Sequence, residues 1–214
     1  MAVQVTVDTG AAPPAEAAAA PLVLEHPHTS TGLDNRKLLM WAFLASDCMF
    51  FGTLIATYMV YKNRSIDGPL PRETFDVPYT SVSAFVLLLS SLTMVLALAA
   101  IQSGQERRMR VWLSATALLG CVFLGGQFYE FTTFYRDGLT LSRNLFGSTF
   151  FTLTGFHGTH VFIGVFWLGS LVAQSFRGRL HQKDSLWVEI AGLYWHFVDI
   201  VWILIFTLVY LIPD

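Results

Sequence analysis

The chain has 214 residues, of which 54% are hydrophobic and only 13% charged, with a mean hydropathy of +0.53. Soluble domains carry about 25% charged residues, so this balance excludes an ordinary soluble globular domain and points to a membrane protein. A formal net charge of -2 excludes the electrostatic footprint of a nucleic-acid partner.

Residues 1–35 read as a flexible aqueous tail. Positions 1–24 are rich in Ala, Pro and Val and hold no Lys or Arg, and Pro13, Pro14 and Pro21 interrupt any apolar run. A secretory signal needs a basic start and an unbroken apolar core, so this is not one. Beyond the tail, a bilayer core of about 30 Å requires about 20 apolar residues per helix. Five segments qualify, at about 38–61, 79–101, 111–135, 147–175 and 187–212. Residues 36–214 are therefore expected to form an all-α, polytopic membrane domain, with five transmembrane helices in one bundle. Asp34-Asn35 offers an N-cap to the first helix. Pro69, Pro71 and Pro78 break the first connection, and Gly178 helps to break the fourth.

Basic residues set the orientation. With the N-terminus cytoplasmic, the inner side holds Arg36, Lys37, Arg107, Arg108, Arg110, Arg177, Arg179 and Lys183, and the outer side Lys62, Arg64, Arg72, Arg136 and Arg143. Eight against five favours N-in, C-out. Cys48 and Cys121 lie too far apart for a zinc motif or a disulfide framework and read as small buried apolar residues.

Polar residues inside the spans carry the functional signal, because each costs free energy in hydrocarbon unless it finds a partner or water. In the first span, Asp47 lies about 15 Å beyond Lys37 at about 1.5 Å per residue. It reads either as a hydrogen-bonded interhelical carboxylate or as a proton-exchanging one. In the third span, Gln127 and Glu130 are three apart and share a face; Glu130 lies near the outer end, where snorkelling is cheap. The fourth span carries His157 and His160 on one face. With His196 of the fifth span they are either metal or haem ligands or structural histidines. The fifth span runs from Glu189 to His196 and Asp199, with Trp195 and Trp202 on the opposite flank.

These residues fall into recognisable strings. Thr154-Gly155-Phe156-His157-Gly158-Thr159-His160-Val161-Phe162-Ile163-Gly164 resembles a signature of subunit III of the haem-copper cytochrome c oxidases. Tyr194-Trp195-His196-Phe197-Val198-Asp199-Ile200-Val201-Trp202 looks like the same family's penultimate signature. Ser46-Asp47-Cys48-Met49-Phe50-Phe51-Gly52 is similar to its Ser-Glu region in an early helix, and Gln127 to Glu130 fits its Gln-x-x-Glu position. The likeness runs in order over residues 36–214.

The resemblance implies a non-catalytic subunit of a bacterial oxidase that reduces oxygen to water, moves protons and takes electrons from cytochrome c. Such a subunit has no redox centre of its own: haem and copper sit in subunits I and II, its partners. It binds phospholipid, sustains proton uptake and keeps subunit I intact in the inner membrane. No metal ligands are then expected among His157, His160 and His196. By motif position Asp47 takes the place of the family's carbodiimide-reactive glutamate and is expected against a fourth-span histidine. Gln127, Glu130, His157, His160, Glu189, His196 and Asp199 become buried polar residues, and Arg177 and Trp195 lipid contacts. Two departures stand out: five helices where many members have seven, so that the lipid cleft of the long form is in doubt here, and Asp47 in place of glutamate. The alternatives are the same subunit in a quinol oxidase and a homologue associated with nitric oxide reductase. A small proton-coupled transporter using Asp47, Glu130 and Asp199 is a third, although no internal repeat supports it.

Overall fold

The computed structural model describes residues 34–62, 77–136 and 145–212, together with 32, 138, 140 and 141. The helices belong to one compact unit, Asp34–Asp214; the expected tail falls mostly on residues 1–31, outside the described residues. Among the described residues there is no strand, and five helices are long and apolar enough to cross a membrane. They are α1 (Asn35–Tyr61), α2 (Val77–Gln102), α3 (Glu106–Arg136), α4 (Leu145–Phe176) and α5 (Ser185–Ile205). A short 3-10 turn, Gln182–Asp184, leads into α5, and a π-helical segment, Phe206–Leu211, continues it.

Local chemistry explains the helix ends. The Asp34 carboxylate caps α1, accepting from Arg36 N at 2.8 Å. Pro78 occupies the first turn of α2, where no amide hydrogen is needed. α2 and α4 stop in the same way. Gly104 and Gly178 take φ of +71° and +65°, and Gln105 N and Arg179 N reach back five residues, to Ala100 O and Gln174 O. That left-handed closure suits glycine, because a Cβ would strain it. α3 and α4, at 31 and 32 residues, are longer than the apolar runs that mark them in the sequence.

Polar contacts at the two ends show the alternation of the helices. At one end Lys37 of α1 pairs with Glu189 of α5, and Arg110 of α3 donates to Ser175 of α4. At the other, Lys62 reaches the Ile212 carbonyl at 2.9 Å and Thr80 of α2 reaches Glu130 of α3. α2 and α3 form a tight antiparallel hairpin, α1 packs chiefly on α4 and α5, and α5 is the most enclosed helix. Large apolar side chains such as Phe128, Phe166 and Met49 are more than 70% exposed, as a bilayer-facing surface requires. Cys48 and Cys121 are free and lie on that exposed surface, contrary to the buried positions expected of them.

Helices in lipid gain little from the hydrophobic effect and associate through close packing and interhelical hydrogen bonds. Glycine provides the close approach. A Cβ on Gly120 would lie 2.6 Å from the Trp195 ring, and one on Gly164 would lie 2.9 Å from it. The indole of α5 is thus slotted between α3 and α4, and its Nε1 donates to Ser90 Oγ of α2 at 2.9 Å. Trp195 is 1% exposed, which corrects the expected lipid contact: the two glycines make room for the ring inside the bundle.

Candidate functional site

The intramembrane polar residues do not converge on one centre. They form separate clusters, each joining different helices. The first lies between α1 and α4. Asp47 is 9% exposed, and its Oδ2 stands 3.5 Å from His160 Nε2, an ion-pair distance whenever the ring carries its second proton. His160 Nδ1 donates to the Phe156 carbonyl one turn back at 2.7 Å, so Nε2 is the nitrogen left facing Asp47. Phe51 closes edge-on over the imidazole at 5.0 Å, and Tyr194 OH donates to the His160 carbonyl at 2.9 Å. The carboxylate and the imidazole form a dyad able to share a proton.

The second cluster joins α2 and α5. Ser91 Oγ lies 2.6 Å from His196 Nδ1, and Asp199, one turn further along α5, is 4% exposed. The third lies where α2, α3 and the π segment meet. Thr80 Oγ1 donates to Glu130 Oε1 at 2.7 Å, Tyr79 OH donates to the Gly126 carbonyl, and the Tyr210 ring is 2% exposed. Glu130 therefore stays inside the bundle, 7% exposed, instead of snorkelling out. Gln127 diverges from it: its Nε2 donates to the Thr154 carbonyl of α4 at 3.0 Å, and its Oε1 lies 2.9 Å from where a Gly158 Cβ would be. One turn separates the two residues, yet each finds a different neighbouring helix.

His157 sits deepest, with no exposed surface. Its Nε2 donates to the Val198 carbonyl at 3.2 Å, Trp202 stacks on it at 4.9 Å, and Phe123 meets it edge-on. The three intramembrane histidines thus turn to three different partners: the α5 backbone, Asp47 and Ser91. Among the described residues no group of three or more His, Cys, Asp or Glu side chains is placed to hold a metal ion. The three carboxylates suggested as a transport relay also lie on different helices: Asp47 of α1 meets His160, Glu130 of α3 meets Thr80, and Asp199 belongs to α5.

Charge concentrates at the end where α1 begins. Glu189 is half-buried against Lys37, and Arg36 lies 5.0 Å over the Trp187 ring. His181 Nδ1 is 2.8 Å from Glu106, which also meets Arg110 at 3.7 Å. Arg177 is exposed just beyond the last turn of α4.

Sequence reasoning missed the partners more than the polar residues themselves. Ser90, Ser91, Thr80, Tyr194 and Tyr210 are hydroxyls, which hydrocarbon tolerates far better than charge. Such groups often bond their own helix, as Ser46, Thr53 and Thr57 do, so composition marks none of them. Their one signal is position: Ser90-Ser91 lies near mid-span in an otherwise apolar helix.

The sequence model of a protein family described as cytochrome c oxidase subunit III matches residues 23–213. The chain is 42% identical over 171 residues to quinol oxidase subunit 3 of Bacillus subtilis, covering 80% of this chain and 84% of that protein. It is 37% identical over 177 residues to cytochrome c oxidase subunit 3 of Bacillus sp. PS3, covering 83% and 86%. It is also 38% identical over 187 residues to cytochrome bo(3) ubiquinol oxidase subunit 3 of Pseudomonas aeruginosa, covering 87% and 88%.

Proposed function

The chain belongs to the cytochrome c oxidase subunit III family, and from that premise we propose that it is the third subunit of a bacterial, proton-pumping haem-copper oxidase that takes electrons from cytochrome c. It is a multi-pass membrane subunit that works beside the other subunits of its oxidase. The reading is carried by the family match, which runs through all five helices, and is supported by the polar interior, whose side chains are spent on joining helices. In this role the chain holds no redox centre; haem and copper belong to subunits I and II, and it supports their proton uptake and their integrity during turnover. Asp47 is the proton-related residue, with His160 beside it. Phospholipid binds around the bundle, with Arg177 contacting headgroups, and the N-terminus lies on the cytoplasmic side of the inner membrane.

A second reading, in which the donor is a quinol, draws on the 42% identity to a quinol oxidase subunit. Purification of the intact complex through a tag on this chain separates the two. The first reading expects haem absorbance, a dinuclear copper signal and oxidation of reduced cytochrome c. Oxidation of quinol without the copper signal establishes the second. Recovery of the chain without any haem-bearing subunit refutes both.

A further inference from the structure

Although α5 is the most enclosed helix, one stripe of it is open. Residues spaced by three and four share a helical face, and Leu193, His196, Ile200 and Leu204 form such a row. Ile200 and Leu204 are 58% and 48% exposed, and Leu193 and His196 are half-buried. On one side the row is bounded by α2, which meets α5 through Ser90 and Ser91. On the other it is bounded by α1, whose Phe43 and Phe51 rings each lie 6.3 Å from a ring of α5. α1 packs chiefly on α4 and α5, and α2 on α3 and α5, so the row is the floor of a valley between α1 and α2.

That floor is not uniformly apolar. Ser91 Oγ of α2 holds His196 Nδ1 at 2.6 Å. The ring's other nitrogen, Nε2, is left to face outward. Nε2 has no hydrogen-bond partner among the described residues and is not among the buried atoms, so it opens on the valley. His196 lies eleven residues beyond Ser185. That is about 16 Å along the axis, near the middle of a core about 30 Å thick. Headgroups and bulk water do not reach that depth, and acyl chains carry no hydrogen-bonding group. A polar nitrogen facing hydrocarbon unmatched is costly, so the matching group comes from protein.

We propose that the valley between α1 and α2 is the docking groove for a transmembrane helix of a partner oxidase subunit, which brings a hydrogen-bonding side chain to His196 Nε2 at mid-membrane depth. That side chain is a hydroxyl or an amide, which pairs with either tautomer of the ring. Ile200 and Leu204 provide the packing surface, and Nε2 sets the register. The identity of the partner rests on the subunit III reading; the place of docking rests on the valley alone.

The test uses the whole complex, with a photo-reactive benzoylphenylalanine at Ile200 of this chain and, separately, at Phe166 of α4, which is 76% exposed. The Ile200 position is expected to cross-link to another oxidase subunit and the Phe166 position to lipid. His196→Leu is expected to loosen retention of the chain in the complex about three- to tenfold, and His196→Gln, whose amide both donates and accepts, to restore most of it. Cross-linking of Ile200 only to lipid, or to a second copy of this chain, overturns the proposal and leaves the subunit III reading standing. Failure of the chain to co-purify with any oxidase subunit overturns both.

Discussion

Gly120→Ala is the sharpest probe of how this bundle is held. The added Cβ would stand 2.6 Å from Trp195 Cη2 and 2.7 Å from Val165 Cγ2. Carbon atoms pack best at about 3.5–4.0 Å, so the shortfall is about 1 Å. The indole has nowhere to retreat. Its neighbouring Cε3–Cζ3 edge packs on Gly164, with only 2.9 Å to where a Cβ would lie, and its Nε1 is tied to Ser90. Relief must come from moving α3 away from α5, which also loosens the contacts around Phe123 and Trp202. Overpacking typically costs about 1–3 kcal/mol, and a rigid site belongs at the upper end. The expected loss is about 3 kcal/mol, less up to about 1 kcal/mol gained from alanine's helix propensity. Reversible unfolding of the purified chain in mixed micelles, titrated with a denaturing detergent, measures it. Gly125→Ala and Gly155→Ala, whose Cβ atoms meet nothing within 4 Å, serve as controls and should be neutral or slightly stabilising. Trp195→Phe removes the clashing edge, so it should cost less on the Gly120→Ala background than on the native one. A Gly120→Ala chain within about 0.5 kcal/mol of native stability would refute the reasoning.

Two further outcomes follow from the polar clusters. Asp47→Ala should leave the haem spectrum of the complex unchanged while shortening its active lifetime during turnover; loss of haem absorbance would point instead to a direct cofactor role. Glu130→Leu removes the acceptor of the buried Thr80 hydroxyl and should destabilise the bundle by about 1–3 kcal/mol, whereas Glu130→Gln, which keeps the Thr80 bond, should lose less than half of that; equal losses in the same unfolding assay would show that this hydrogen bond does not matter.

Much of the architecture was legible from periodicity and burial cost. Twenty apolar residues between turn signals can do little else than cross a bilayer, and Asp34 and Gly178 mark helix ends through rules that involve only neighbouring residues. Asp47, Glu130, His157 and Asp199 stand out for the same reason: a polar side chain in an apolar run demands a partner. Trp195 did not read true. An amphipathic ring in a membrane helix suits a lipid-facing belt as well as a core, and only Gly120 and Gly164, 75 and 31 residues away in sequence, make the core position available.

The sequence by itself therefore determined the five spans, the residues that must be satisfied within them and the family to which their strings belong, because these depend on local composition and on cost per residue. Tertiary structure alone decided which partner satisfies each polar group. Gln127 and Glu130 share a helical face, yet go to α4 and α2; His157 and His160 share another, yet turn to the α5 backbone and to α1. Residues three apart on a helix differ by about 60° in direction. In a tightly packed bundle that angle is enough to place one side chain against one neighbour and the next against another.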